Sequence, residues 1–104
     1  MSELIEKYRA MVADKPDNGL LRFSLGKALF DAKDYPEAEE HLRMALSTRD
    51  DWMIVVMLLG ECALARGDRD EARALYERGL ELAVAQKHED PETECRAKLA
   101  ELAG

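Results

Sequence analysis

Residues 17–50 read DNGLLRFSLGKALFDAKDYPEAEEHLRMALSTRD, and residues 51–84 read DWMIVVMLLGECALARGDRDEARALYERGLELAV. Set against each other at an offset of 34, these stretches pair Asp17 with Asp51, Leu25 with Leu59, Gly26 with Gly60 and Asp34 with Asp68. They also pair Glu37 with Glu71, Ala38 with Ala72 and Leu46 with Leu80. The identities fall where two antiparallel helices must approach closely and where helices begin. Gly26 and Gly60 each cost about 1 kcal/mol in helix propensity. They make sense mid-helix if close approach of the axes, to roughly 8 Å, returns more than that through packing.

Working outward, Pro and Gly cut the chain into six helix-length pieces. The first, residues 2–13, carries Leu4, Ile5, Tyr8, Met11 and Val12 on one face, with Ser2 as its cap. The second spans roughly 19–32. Asp34-Tyr35-Pro36-Glu37 opens the third, which runs to about Ser47, with Asp34 as cap, Pro36 in the first turn and Glu37 completing an acidic capping box. The fourth covers 51–66 and stops at Gly67, a left-handed C-cap. Asp68 and Glu71 repeat the capping device for the fifth, to about Gln86, and Asp90-Pro91-Glu92 starts a sixth that ends near Ala103. Ile54-Val55-Val56 has strand-like composition but lies within a longer helical pattern, so the fold class expected is all-α.

Length and charge narrow the function. The 104 residues suit one domain, with 15 Lys plus Arg against 22 Asp plus Glu and a net charge of −7. Phosphate neutralisation needs clustered basic residues, so a nucleic-acid partner is not expected. A hydrophobic content of 47% calls for a packed core. The longest apolar run, 52–59, falls far short of the ~20 residues a membrane span requires. Residues 1–9 carry Glu3, Glu6, Lys7 and Arg9 where a leader would be apolar, so a cytoplasmic location is expected. Cys62 and Cys95 form no CxxC pair and read as small reduced hydrophobes.

The 34-residue period resembles that of the tetratricopeptide repeat family, whose unit is a helix hairpin with Leu-Gly in the first helix and Ala-x-x-x-Phe in the second. Leu25-Gly26 and Leu59-Gly60 match the first element, and Ala38-x-x-x-Leu42 and Ala72-x-x-x-Tyr76 match the second. Ala45 and Gly79 take the next small position, and Leu4, Tyr8 and Pro16 place the first helix as the second half of an earlier unit. Arg22 and Val56 stand where the family has Trp, and Asp50 and Val84 where it has the closing Pro. The resemblance implies a right-handed α-α superhelix of antiparallel hairpins in a single domain, 1–104. Within it lie a half-repeat at 2–15, repeats at 17–50 and 51–86, and a capping helix at 90–104. Leu25, Gly26, Ala38, Ala45, Leu59, Gly60, Ala72 and Gly79 are its repeat-packing positions.

It also implies a concave groove lined by the first helix of each repeat. Position by position this groove is Leu20, Phe23, Lys27, Phe30 and Asp31 in one unit and Ile54, Met57, Glu61, Leu64 and Ala65 in the next. Some members grip a terminal carboxylate there with paired Lys, Arg and Asn. Here Lys27 stands beside Ser24, Leu58 and Glu61, so that clamp is incomplete. Mostly apolar positions suit a hydrophobic peptide or an amphipathic helix anchored at i, i+3, i+4 and i+7. The function expected is a protein–protein interaction module, and the alternative is a homodimer that buries the groove in itself.

No chemistry is expected beside it. His41 and His88 lack a second ligand at helical spacing and read as solvated surface residues. No GxSxG, P-loop or GxGxxG string occurs, and no metal or cofactor site is read. The carboxylates Glu39, Glu40, Glu77 and Glu81 read as solvating charges, Glu39 pairing with Arg43.

Overall fold

The structure, a computed structural model, describes residues 2–104; Met1, included in the expected domain, lies outside the described residues. Among the described residues there are six helices and no strand: α1 (Glu3–Asp14), α2 (Gly19–Asp31), α3 (Tyr35–Thr48), α4 (Met53–Ala65), α5 (Arg69–Gln86) and α6 (Glu89–Ala103). The chain divides into two compact units, 1–50 and 51–104. Repeat proteins pack each element mainly on its sequence neighbours, and the division falls at the repeat edge.

Helix starts follow local chemistry. Ser2 accepts a hydrogen bond from the Ile5 amide, Asn18 from Leu21 and Asp68 from Glu71. Asp34 stands at the N-cap of α3 but makes no such bond. Pro36 removes one of the amides it could accept from, and the Glu37 carboxylate is engaged by Arg9 instead of closing a capping box. The fourth helix begins at Met53 after Trp52, later than Asp51, and α6 begins at Glu89 after His88.

Three helix ends share one turn. After α4, Gly67 adopts φ +81° while the amides of Gly67 and Asp68 donate to Leu64 and Ala63 carbonyls at 3.0 and 2.9 Å. After α2, Lys33 (φ 66°) takes that place, with Lys33 and Asp34 amides donating to Phe30 and Leu29; after α5, Lys87 (φ 59°) does the same.

In the first unit, α2 and α3 form a hairpin with α1 against α2. A Cβ on Gly26 would lie 2.8 Å from Leu42 Cγ and 3.3 Å from the Ala38 carbonyl oxygen, so the helix crosses its partner with no room for a methyl. Leu25, Ala38, Leu42 and Ala45 are buried there. The second unit repeats the crossing with a Cβ on Gly60 meeting the Tyr76 ring at 2.9 Å, and Leu59, Ala72 and Tyr76 are buried. At Gly79 the space is taken by Cys95 Sγ at 3.2 Å and Met57 Cγ at 3.3 Å, so α4, α5 and α6 share one core.

The end of α6 is held from α5: Arg69 and Arg73 both donate to the Leu102 carbonyl, at 3.3 and 3.2 Å. These cations satisfy a C-terminal carbonyl and oppose the negative end of the helix dipole.

Candidate functional site

The sequence placed a row of apolar side chains on α2, and the structure sets part of it beside α1. Leu4 and Tyr8 from α1 and Phe23, Ser24, Lys27, Ala28 and Asp31 from α2 line a cleft of about 240 Å³. Helical spacing explains the wall on each side: Leu4 and Tyr8 are one turn apart, as are Phe23 and Lys27, and Lys27 and Asp31. Leu4 is 49% exposed, and Leu20, one turn before Ser24, is 65% exposed. Large aliphatic side chains at that exposure are the kind that mark contact surfaces.

The cleft carries a balanced rim. Lys27 Nζ donates to both Asp31 carboxylate oxygens at 2.9 and 2.8 Å, so its charge is satisfied within its own helix. Ser24 Oγ donates to the Leu20 carbonyl at 3.0 Å. Phe30 does not line the cleft. Its ring stands edge-on to Tyr35 with centroids 5.4 Å apart, closing the turn between α2 and α3.

In the second unit the matching positions are unevenly exposed. Ile54 is 42% exposed, and Ala65 is exposed, but Met57 is only 5% exposed and belongs to the core with Tyr76, Cys95 and Leu102. Expecting Met57 in a groove is corrected here, and the reason is α6, whose Cys95 occupies that side. Leu64 packs against the same core. Glu61 accepts a hydrogen bond from the Tyr76 hydroxyl at 2.6 Å and pairs with Lys98 Nζ at 3.3 Å, tying three helices together. Burial, and next the Glu61 carboxylate, hold the Tyr76 phenol far above its ordinary range, so it remains a donor. Burial likewise pushes the Cys95 thiol up.

A second cleft, of about 620 Å³, opens between α5 and α6 over Leu80, Val84 and Leu99, with Glu77, Glu81 and Arg96 at its edge. Sequence reading missed it. Val84 standing in place of a closing Pro was the available signal.

His41 also departs from expectation. It is 8% exposed, inside the first unit. Its Nδ1 accepts from an Arg22 guanidinium NH at 3.0 Å, which puts the ring proton on Nε2, 3.6 Å from Glu37 Oε2. Arg22 Nε also donates to the Pro16 carbonyl at 2.8 Å, and Arg9 grips both oxygens of Glu37. Arg22 stands where the resembled family has Trp, so the polar chain fills a slot usually taken by an aromatic ring. Desolvation and then Arg22 hold the His41 imidazolium back, lowering its pKa; Arg9 holds Glu37 below the usual carboxylate range. No group of three or more His, Cys, Asp or Glu residues is placed to hold a metal ion among the described residues, and no described helix is long and apolar enough to cross a membrane.

Family models described as tetratricopeptide repeat match residues 5–52 and 55–78. A TPR repeat-containing protein of Pseudomonas aeruginosa, PA0015, is 40% identical over 91 residues, covering 88% of this chain and 85% of its own. The solution structure of BPP2914 from Bordetella parapertussis is similar with a TM-score of 0.83 and 34% identity, over 99% of this chain and 90% of that one. The first TPR domain of Spaghetti (RPAP3), solved bound to the HSP90 peptide SRMEEVD, is similar with a TM-score of 0.79 and 25% identity, over 96% of this chain and 78% of that one.

Proposed function

The chain belongs to the tetratricopeptide repeat family, and on that premise we propose that it is a protein–protein interaction module whose docking site is the cleft between α1 and α2. The observation that supports the site most directly is the lining of the cleft by Leu4, Tyr8 and Phe23, with Leu4 about half exposed and Leu20, one turn before Ser24 on α2, more exposed still. An apolar wall with a self-neutralised Lys27–Asp31 rim suits the apolar stripe of a partner helix or a hydrophobic peptide. It does not suit a strongly charged tail. The RPAP3 domain was solved with a peptide rich in acidic residues; here the one cation of the cleft is engaged by Asp31, and a ligand of that kind would have to displace it.

Affinity capture from the cytosol of the source organism tests the reading, with the wild type set against Phe23→Asp and Leu20→Asp. Proteins retained by the wild type and lost at least about tenfold by both variants, whose far-ultraviolet helical signal persists, are the expected outcome. Equal retention by all three proteins removes the cleft from consideration.

A second reading, self-association, draws on the other cleft, where Val84 is 50% exposed above Leu80 and Leu99. Sedimentation of the pure protein separates the two: a tight dimer that dissociates in Val84→Asp supports the second, and a monomer at high micromolar concentration excludes it.

A further inference from the structure

A polar chain Arg9–Glu37–His41–Arg22–Pro16, buried at His41 and reaching the surface at both ends, links α1, α3, α2 and the α1–α2 turn within the first unit. Every bond in it has a fixed direction. Arg22 can donate to His41 only while Nδ1 carries a lone pair, so the ring must be neutral. Adding a proton to Nδ1 sets two donors against each other at 3.0 Å and places a second positive charge beside the guanidinium. We propose that protonation of His41 is a switch on the docking of α1: the proton expels Arg22 from the ring, Arg22 draws away from the Pro16 carbonyl, and α1 loosens from α2.

The groups that face the ring set the direction of the switch. Arg22 on α2 opposes the proton, Glu37 and Glu40 on α3 favour it, and α1 contributes Arg9, which is already committed to Glu37. Burial and Arg22 prevail, so the ring takes its proton more readily once the unit has opened. As the pH falls below about 6.5, the ordinary range for histidine, the closed form of the unit loses ground. Because Leu4 and Tyr8 form one wall of the cleft, the switch would govern assembly of that site; this last step rests on the cleft being the docking surface.

The experiment is a proton and ¹⁵N NMR titration of the full chain from about pH 7.5 to about pH 5, reading the His41 ring and the amides of α1. The α1 amides should shift with the His41 midpoint, below the ordinary histidine range, and this component should vanish in His41→Gln, whose amide oxygen can still accept from Arg22. In Arg22→Gln, which removes the opposing cation, the His41 midpoint should move up. An α1 response that persists unchanged in His41→Gln, or a His41 midpoint indifferent to Arg22→Gln, overturns the switch. Should His41→Gln fail to fold, the Arg22→Gln midpoint decides alone. Capture of partners at both pH values is a separate arm: the switch stands on the NMR even where no partner binds, and the binding reading fails there by itself.

Discussion

A single missing methyl decides the two helix crossings. Replacing Gly26 or Gly60 with Ala would gain about 1 kcal/mol in helix propensity, yet the new Cβ would lie 2.8 Å from Leu42 or 2.9 Å from the Tyr76 ring. Overpacking of that kind costs about 1–3 kcal/mol. Both variants should therefore be destabilised in urea despite better helix propensity, and a gain in stability would show that the crossings can spread. The left-handed turns give the opposite sign. Lys33 and Lys87 hold φ 66° and 59°, where a Cβ costs about 1 kcal/mol or more. Lys33→Gly should stabilise the protein by up to about 1 kcal/mol in the same assay, and Gly67→Ala should lose a comparable amount. Gly67 was readable as a C-cap because glycine advertises a positive φ. Lys33, at the same place in the repeat, carries no such signal. His41 was misread for a related reason: spacing within α3 shows its neighbours along the helix, but not Arg22 arriving from α2.

Helices end up buried on as many sides as they have neighbours. In α4, Val55 to Gly60 are all buried, and the near-continuous apolar string through Leu59 is the sequence feature behind that burial. What the string could not supply was the identity of the covering element, so Met57 was read as part of a groove while α6 lies over it. Met57→Asp should consequently unfold the second unit, whereas Phe23→Asp should retain the helical circular dichroism of the wild type. Tyr76→Phe isolates the tie between α4 and α5: losing the hydroxyl donor to Glu61 should cost about 1–2 kcal/mol. The end of α6 is held by Arg69 and Arg73, which share the Leu102 carbonyl. In the double variant Arg69→Ala with Arg73→Ala, amide hydrogens in the final turns of α6 should exchange faster while those of α2 and α3 do not.

Across the molecule the repeat period and its small residues were legible because they recur, while the polar network and the second cleft were not, each occurring once. Of the groups with shifted pKa values that titrate in acid, two lie in the first unit and one, Asp68, held low by the Glu71 amide and then Arg66, lies in the second. Only the first unit has one, His41, that takes its proton above the carboxylate range. Glu37, held low by Arg9, and His41, held low by burial and Arg22, both lie in the first unit. Each binds protons more readily in the unfolded chain, so each contributes stability that is lost on acidification, His41 from about pH 6.5 downward and Glu37 below the ordinary carboxylate range. Hydrogen exchange at about pH 5 should find amides of residues 3–48 losing protection before those of 53–103, relative to neutral pH; simultaneous loss would contradict this division of charge. The second unit, for its part, contains the sole tryptophan, Trp52, and both free cysteines, Cys62 and Cys95, at 1% and 0% exposure. Tryptophan fluorescence, excited beyond the tyrosine band, and the timing of alkylation by iodoacetamide therefore report on one half of the protein alone. A melting curve followed by either probe would be blind to events around His41, and a discrepancy with circular dichroism would measure how separately the halves come apart.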